Sequence, residues 1–531
     1  MNMKDKNFLL ACFFAVLFMP ACNQDTSRAD KLILEDQKEN NWWFGVVNHG
    51  EQMPLSGEYS ADIYGNNYGN QIVPLLLASD GQYIWSDKPL KVNYDNGTLS
   101  VESHGGKIYH SNEATSLKEA YRFVSQKYFP PSGKLPDLSL IEAPQYNTWI
   151  ELMYDQNQKD IMEYAKAILD NGFPPGVIMI DDNWQIDYGN WDFKPDKFPD
   201  PNAMMDSLHD MGFKVMLWMC PFISPDSRVY RKLRDEGLLL KEENGNAAIL
   251  RWWNGASGLL DFTHPDAVKW FEEQMDYLVD EYGADGFKLD AGDTRYYTDV
   301  VAHKDVTPNE HTRLYGEFGL KYPLNEYRAN YKLGNQPLVE RLRDKGHSWD
   351  DLQKLIPHIL LQGIVGYAFT CPDMIGGGEY TAFLNNDRLD QKLIVRSAQV
   401  HALMPMMQFS VAPWRVLDKE HLAAVKKAVE IRQKHTDLII ELAKKSADHG
   451  EPIVRSMEYV FPHQGYAKVK DQFLLGDDIL VAPLIENGTS QKQVIIPKGQ
   501  WEDNKGKKMN GPKTITIDVA LDELPYYKRI E

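Results

Sequence analysis

Residues 286–293 read Gly-Phe-Lys-Leu-Asp-Ala-Gly-Asp, a short, largely apolar run that leads into two carboxylates. An apolar run of this length between a glycine and acidic residues predicts a buried β-strand followed by a polar turn. Lys288 and Asp290 are two residues apart, so on a strand their side chains point to the same face. The stretch therefore predicts a strand with a charged pair at its carboxyl end.

Similar runs alternate with amphipathic helical stretches from residue 141 to residue 440. This alternation is typical of βα units around a parallel sheet, and it predicts an α/β fold with a (β/α)8 TIM barrel over 141–440. The strand-like runs are 148–154, 176–181, 214–220, 286–290, 366–370 and 403–409. The helical stretches include 158–171, 204–211, 264–282, 349–362 and 419–445.

The segments on either side of the predicted barrel have a different pattern. Residues 30–140 and 441–531 contain short alternating runs separated by turn signals such as Ser-Asp-Gly-Gln at 79–82 and Asp-Asn-Gly-Thr at 95–98. Such spacing is typical of antiparallel β domains. We therefore predict an N-terminal β-sandwich over 30–140 and a small C-terminal β-sandwich over 441–531.

The first residues predict export. Lys4 and Lys6 precede an apolar run over 8–19 that is too short to span a bilayer as a helix. The run ends in Ala21 and Cys22, which resembles a bacterial lipoprotein signal over 1–22 with Cys22 as the lipidated residue. A plain secretory signal cleaved near Ala21 is the alternative. We expect an exported cell-envelope lipoprotein that contacts the membrane only through this anchor.

Composition excludes some classes of function. The 531 residues carry a formal charge of −19 and no basic run, which argues against a nucleic-acid partner. The sequence has no CxxC, HExxH or HxH motif, so we expect no metal site and no cofactor. Cys220 and Cys371 each follow an apolar run and are predicted to be buried free thiols.

Polar residues follow several of the predicted strands. In a (β/α)8 barrel the active site lies at the carboxyl ends of the strands. Carboxylates there also cap helices, which is the simpler explanation for any single one. Lys288 on the same face as Asp290 favours its ionised form and suits a nucleophile. The strand ends carry Asp181-Asp182-Asn183-Trp184, Trp218-Met219-Cys220-Pro221, Lys288-Leu289-Asp290 and Pro372-Asp373-Met374.

Several segments resemble one enzyme family in order along the chain. Residues 286–290 resemble the nucleophile strand of glycoside hydrolase family 31, and 344–352 resemble the segment that bears its acid/base. Other matching segments are 198–201, 212–215, 253–255, 260–265 and 372–377. Residues 180–184, 218–222, 288–293 and 407–414 are most similar to the myogenesis-regulating-glycosidase-like branch, which includes α-galactosidases.

The resemblance implies a retaining, exo-acting α-glycosidase. Asp290 would be the nucleophile and Asp344 the acid/base, and the substrate would be an oligosaccharide or glycoside, most readily an α-galactoside. An α-glucosidase or α-xylosidase of the same family is the alternative. The residues that would bind the sugar are Asp181, Asp182, Trp218, Trp253, Lys288, Arg328 and Asp373.

Two departures from the family pattern bear on these roles. Arg341-Leu342-Arg343 replaces the usual Trp-Ser-Gly before Asp344. Gln408-Phe409-Ser410 replaces an Arg-x-His that binds glucose in the α-glucosidases. The first departure directly precedes Asp344 and bears on its assignment as the acid/base. The second departure disfavours glucose as the bound sugar.

Two other functions fit parts of the sequence. Lys288 at a strand end would also suit a Schiff-base aldolase, although Asp290 and the Asp-Phe-Thr-His-Pro stretch at 261–265 disfavour it. The other function is that of a surface glycan-binding protein, which has the barrel but does not hydrolyse its ligand. The retention of both carboxylates, Asp290 and Asp344, disfavours this function.

Overall fold

The computed structural model describes residues 30–385 and 389–531. The predicted signal over 1–22 and Cys22 lie outside the described residues. No helix in the described part of the chain combines the length and apolarity that crossing a membrane requires.

The central domain is a barrel of eight parallel strands, as predicted. Seven neighbouring pairs are hydrogen-bonded in parallel register. The ring closes just beyond the seventh strand, where a parallel bridge joins Met374 to Gln408 and the Ile375 amide donates to the Gln408 carbonyl over 2.8 Å. Numbered along the chain, the barrel strands are Gln145–Asn147, Val177–Ile180, Lys214–Met219, Gly286–Leu289, Leu324–Tyr327, Glu340–Arg341, Thr370–Cys371 and Gln408–Phe409.

The fourth barrel strand begins with a glycine because its neighbour is very close. A Cβ atom on Gly286 would lie 2.0 Å from the carbonyl oxygen of Leu324 on the fifth strand. The absence of a side chain lets these two strands pair, and the residues after them, Asp290 and Arg328, are thereby brought to the same end of the barrel.

Helices pack around the barrel, and several begin at polar caps that the sequence supplies. The side chains of Asn157, Thr307 and Ser348 each accept a hydrogen bond from a backbone amide in the first turn. The helices around the barrel are Gln158–Asp170, Pro201–Asp210, Pro265–Tyr282, Pro308–Phe318, Trp349–Ile364, Gln391–Ala402 and Lys419–His449. The other helices are Leu117–Tyr128, Ser139–Glu142, Trp149–Leu152, Arg228–Asp235, Pro413–Val416 and Met457–Val460.

Three strand predictions need correction. The first barrel strand is Gln145–Asn147, whereas Trp149–Leu152, inside the predicted run 148–154, is helical because the Asn147 side chain accepts from the Trp149 amide and turns the chain. The seventh strand begins at Thr370, where the run 366–370 was predicted to end. Only the last two residues of 403–409, Gln408–Phe409, form the eighth strand.

The fifth and sixth barrel strands are absent from the predicted runs. Each carries charged or amide side chains that are nevertheless fully buried, including Glu326 and Glu340. No helix joins them. Their connection instead contributes Asn330–Tyr331 as a parallel edge strand to the N-terminal domain, beside the strand Gln71–Ala78.

The N-terminal domain consists of two antiparallel sheets, which confirms the predicted β-sandwich. One sheet contains Lys31–Leu34, Thr98–Ser103, Leu90–Asp95 and Glu58–Asp62. The other contains Trp42–Val46, Gln71–Ala78, Tyr83–Ser86 and Ile108–Ser111, with Asn330–Tyr331 at its edge.

The C-terminal domain is also built from strands, and these form one antiparallel sheet. Its order is Val454–Arg455, Phe473–Leu475, Ile479–Val481, Tyr526–Arg529, Gln491–Asp503 and Lys508–Asp518. The helix Lys419–His449 leads into it across the predicted boundary at 440. Shorter strands decorate the barrel loops at Gln185–Asp187, Asn190–Phe193, Phe222–Ile223, Leu250–Trp252 and Gly255–Leu259.

Candidate active site

A cavity of about 670 Å³ opens at the carboxyl ends of the barrel strands. Carboxylates, cations and aromatic rings share its wall, which is the composition expected of a site for a polar, ring-shaped ligand. Its lining residues are Asn48, Asn66, Asn67, Tyr68, Gly69, Trp149, Tyr154, Asp181, Asp182, Trp218, Trp253, Lys288, Asp290, Asp293, Arg295, Arg328, Arg341, Arg343, Asp344, Met374, Gly378, Glu379 and Tyr380.

Asp290 follows the fourth barrel strand and is held by donors on several sides. The Trp218 indole donates to its Oδ2 over 3.1 Å, and the Arg328 Nε lies 3.2 Å from its Oδ1. The Ala291 amide also donates to Oδ1. Burial alone would raise the pKa of this carboxyl, but the charges of Arg328, Lys288 and Arg341 hold it well below its usual range. Asp290 is therefore a fixed, ionised carboxylate at neutral pH.

Lys288 and Asp181 form a buried ion pair at the base of the cavity. The Lys288 ammonium lies 2.7 Å from the Asp181 Oδ2, and both side chains are about 95% buried. Burial lowers the pKa of Lys288, but the charges of Asp181, Asp290 and Glu326 together outweigh it and raise the pKa overall. The pair places a fixed donor and a fixed acceptor where a sugar hydroxyl can meet both.

Asp344 lies at the mouth of the same cavity, with 41% of its side chain exposed. Arg341, which is almost fully buried, donates to the Asp344 Oδ1 over 2.7 Å and to the Asp373 Oδ1 over 2.8 Å. The Lys345 amide donates to the other Asp373 oxygen. Asp373 thus does not line the cavity itself and is hydrogen-bonded to a lining residue, Arg341.

Arg328 and Asp293 connect the barrel to a loop of the N-terminal domain. The Arg328 guanidinium forms two bonds to the Asp293 carboxylate, of 2.7 and 3.1 Å, and donates to the Gly69 carbonyl. Asn67 donates to Asp293 as well. The loop from Asn66 to Gly69 is therefore part of the cavity wall.

Two domain models match the chain. Residues 143–340 match the glycosyl hydrolases family 31 TIM-barrel domain, and residues 450–530 match the glycosyl hydrolase family 31 C-terminal domain. The chain belongs to glycoside hydrolase family 31.

Individual relatives agree with this family. The myogenesis-regulating glycosidase of Mus musculus is 33% identical over 436 residues, which cover 79% of this chain and 60% of that protein. The alpha-xylosidase XylQ of Lactiplantibacillus pentosus is 25% identical over 505 residues, covering 87% and 62% of the two chains. The chain therefore spans about 60% of the length of these family 31 relatives.

Solved family 31 structures share the fold. A dextranase of Flavobacterium johnsoniae superposes with a TM-score of 0.84 at 20% identity, covering 94% of this chain and 66% of that one. An alpha-xylosidase from a soil metagenome superposes with a TM-score of 0.80 at 22% identity, covering 94% and 79%.

In this family 31 chain, eight of the nine residues proposed for the site line one cavity, and Asp373 is hydrogen-bonded to the lining residue Arg341. Sequence reasoning missed Arg341, Asp293 and the Asn66–Gly69 loop. The replacement of Trp-Ser-Gly by Arg341-Leu342-Arg343 could have pointed to Arg341, because an arginine in a buried strand needs carboxylate partners. Nothing in the sequence pointed to a loop more than 220 residues away from Asp290.

The rim of the cavity is aromatic. Trp253 is 44% exposed, and the Arg328 guanidinium lies 5.6 Å from the centre of its ring. Across the mouth, Trp149, Tyr154 and Tyr380 contact one another edge to face, with ring centroids 5.2 to 6.2 Å apart. Such faces suit the stacking of sugar rings.

Asp182 is buried beside Asp181 and has polar partners of another kind. Tyr188 donates to both of its oxygens over 3.2 Å, and Asn254, next to Trp253, donates to Oδ2. Burial raises the pKa of Asp182 to about 7, and the charge of Asp181 adds to the shift. The bond to Asn254 ties the Trp253 hairpin to the cavity wall.

Proposed function

We propose that this protein is a retaining, exo-acting α-glycosidase that hydrolyses terminal non-reducing α-linked sugars, with α-galactosides as its substrates. The observation that carries the proposal is the contrast between two carboxylates in one cavity. Asp290 is fixed and ionised by surrounding donors and cations, whereas Asp344 is at the mouth with one principal partner, Arg341. Retaining hydrolysis needs one carboxylate as a nucleophile and one that exchanges protons.

In the first step, Asp290 attacks the anomeric carbon and forms a covalent glycosyl-enzyme. The bond to the leaving oxygen breaks, and Asp344 gives that oxygen its proton. The Trp218 and Arg328 donors hold Asp290 in a single orientation, so little reorganisation accompanies attack. Arg341 interacts with Asp344 and stabilises it once it is left as a carboxylate.

In the second step, Asp344 takes a proton from water, and the oxygen attacks the same anomeric carbon. The bond to Asp290 breaks and the sugar leaves with its original anomeric configuration. The exposure of Asp344 suits this step because water must reach it after the leaving group has departed.

A terminal sugar fits a cavity that is closed at its base. Below Lys288 the barrel interior is filled by buried Gln408, Glu326 and Gln145, which bond to one another. The chain of a polysaccharide therefore cannot pass through, which supports exo action. Asp181, Lys288 and the ring of Trp218 would bind the outer hydroxyls and face of the sugar.

Support for galactose comes from the resemblance of residues 180–184, 218–222, 288–293 and 407–414 to the branch of the family that includes α-galactosidases, and from the eighth strand. Gln408 is turned into the barrel, and the Ser410 hydroxyl accepts from the Ile150 amide, so neither lines the cavity. At residues 408–410, in and directly after the eighth strand, nothing thus takes the place of the Arg-x-His that would bind glucose.

The test is hydrolysis of nitrophenyl α-galactoside, α-glucoside and α-xyloside by the purified protein. We expect turnover of the galactoside with retention of configuration, which NMR of the first-formed sugar reports. Asp290→Ala should lower kcat by several orders of magnitude with an unchanged Tm, while Asp280→Ala, an exposed acid on the helix Pro265–Tyr282, should leave kcat unchanged. Near-normal hydrolysis by Asp290→Ala would refute the proposal.

A second measurement separates an enzyme from a glycan-binding protein. A 5-fluoro glycosyl fluoride should label the wild-type protein, and peptide mass analysis should locate the sugar on Asp290. Sugar binding without labelling or turnover of any of the three glycosides would favour a binding protein.

We also propose that the protein is exported and anchored by a lipid on Cys22. The support is the apolar run and the Ala21-Cys22 pair of the sequence. Metabolic labelling with a fatty-acid analogue should mark the wild-type chain but not Cys22→Ser. Labelling of both to the same extent would contradict the anchor.

A further inference from the structure

Among the described residues, two arginines on the rim of the cavity form no ion pair with a carboxylate. Arg295 and Arg343 both line the cavity and are exposed. Within residues 30–385 and 389–531, neither guanidinium forms an ion pair with a carboxylate. The side chain of Arg295 bonds only to the Tyr296 hydroxyl, over 2.8 Å, and also lies over that ring.

The other cations of the cavity are all paired. Lys288 faces Asp181, Arg328 faces Asp290 and Asp293, and Arg341 faces Asp344 and Asp373. The protein as a whole has a charge of −19, so acidic partners are abundant on its surface. The protein has no general excess of positive charge that would explain the two unpaired guanidinium groups. Their presence is specific to the opening of this cavity.

Their position places them on the leaving-group side of the proposed reaction. Arg343 directly precedes Asp344, whose carboxyl gives its proton to the leaving oxygen. A Cβ on Gly69 would lie 3.5 Å from the Arg343 Nη1, so Arg343 packs against the Asn66–Gly69 loop. Arg295 follows Asp293, which is bonded to Asn67 of the same loop. Both arginines thus line the same cavity as this loop, at exposed positions away from the closed base.

We infer that the aglycone of the natural substrate carries an anionic group, a carboxylate, sulfate or phosphate, which Arg343 and Arg295 bind. Guanidinium groups present paired donors that match the oxygens of these anions. A cavity opening between low-dielectric walls also concentrates their field on an approaching ligand. This inference rests on the proposed glycosidase function and specifies the class of its substrate.

The experiment uses the sugar that the hydrolysis test of the three nitrophenyl glycosides identifies as the substrate. It compares the 4-nitrophenyl glycoside of that sugar with its 3-carboxy-4-nitrophenyl glycoside. The measured quantity is the ratio of kcat/KM for the carboxylated over the neutral substrate. Dividing the wild-type ratio by that of a variant cancels the difference in leaving-group chemistry. We expect this quotient to be about tenfold for Arg343→Gln and at least about threefold for Arg295→Gln, as for loss of a charge-assisted contact.

Arg251→Gln is the matched control, because Arg251 is exposed near Trp253 but does not line the cavity. Its quotient should stay near one. Raising NaCl from 0.05 to 1 M should reduce the wild-type ratio, since salt at about 1 M screens charges beyond roughly 3 Å. The 3-sulfo and 3-phospho analogues then show which anion gives the largest ratio.

The outcomes separate this inference from the function on which it depends. If the quotient is within twofold of one for both Arg343→Gln and Arg295→Gln while the neutral glycoside is turned over well, the inference of an anionic aglycone is wrong. The proposed glycosidase function is not affected by that result. Absence of turnover of every glycoside by the wild-type protein would instead overturn the glycosidase and this inference with it.

Discussion

Asp182 and Asp293 are buried in the wall of the same cavity but have different neighbours. Asp182 lies beside another acid, Asp181, and its pKa is raised to about 7 by burial and by that charge. Burial also acts to raise the pKa of Asp293, but the charge of Arg328 and the hydrogen bonds from Arg328 and Asn67 lower it below its usual range. The groups around Asp182 do not offset the cost of burying its negative charge, whereas the groups around Asp293 do.

We predict that Asp182→Asn and Asp293→Asn change Tm in opposite directions. Between about pH 4 and pH 7, folded Asp182 keeps a proton that the unfolded chain has released, so the wild-type protein loses stability as pH rises. Asp182→Asn removes this loss and should raise Tm at pH 8 more than at pH 5. An Asp182→Asn effect that is equal at both pH values would contradict the raised pKa.

Asp293→Asn should behave differently because a lowered pKa stabilises the fold above the pKa of the unfolded state, and this stability is lost only as pH falls. The variant leaves the buried Arg328 with a weakened partner, which costs about 3 kcal/mol in comparable buried pairs. Differential scanning calorimetry should therefore show a lower Tm at both pH values.

At the scale of elements, the fifth and sixth barrel strands depend on the N-terminal domain. The Gln71 side chain donates to the carbonyl of Arg328 and to the carboxylate of Glu340, each over 2.7 Å. Gln362 donates in turn to the Gln71 Oε1. One glutamine of the N-terminal sheet therefore fixes the two barrel segments that carry Arg328 and Arg341.

We predict that Gln71→Leu weakens both stability and catalysis. The change leaves the buried Glu340 without one of its donors, which costs about 2 kcal/mol. Loosening of the Arg328 segment should also lower kcat/KM. Gln52→Leu, at an exposed position of the same domain, is the control, and equal Tm and kcat/KM for the two variants would rule out this role of Gln71.

At the scale of the whole molecule, the N-terminal sheets and the barrel share a single apolar core. Buried Phe44 and Leu76 of the N-terminal domain belong to the same cluster as Ile356 of the barrel helix Trp349–Ile364. A Cβ on Gly50 would lie 2.5 Å from the Pro357 carbonyl oxygen, so the two domains touch backbone to backbone. The C-terminal domain has a further cluster of its own around Trp501.

We predict that residues 141–531 do not fold without the N-terminal sheets. Their removal exposes the apolar face of the helix Trp349–Ile364 and leaves Asn330–Tyr331 without a strand to pair with. Size-exclusion chromatography and near-UV circular dichroism should show aggregated or loosely packed protein, whereas 30–531 should be monodisperse. A compact 141–531 with native near-UV signal would contradict the shared core.

Sequence patterns were sufficient for the strands whose interiors are apolar. The barrel strands Val177–Ile180, Lys214–Met219 and Gly286–Leu289 lie within the predicted runs, because their hydrophobic residues are the ones that fill the barrel wall. The fifth and sixth strands could not be recognised in this way. Buried Glu326 forms an ion pair with Arg341, whereas buried Glu340 accepts hydrogen bonds from the amides of Asn330 and Gln71. Such pairing depends on residues distant in sequence.

The sequence alone determined the family and the order of domains, and it selected the carboxylates that follow apolar strands. These are local properties: hydrophobic periodicity, and motifs whose members lie within a few residues of each other. Only the tertiary structure decided which charges neutralise which. Electrostatic interactions depend on distance in space, so the fixed charge of Asp290, the bond of Asp373 to Arg341 and the two unpaired arginines of the rim emerge only when the strands and the N-terminal loop converge.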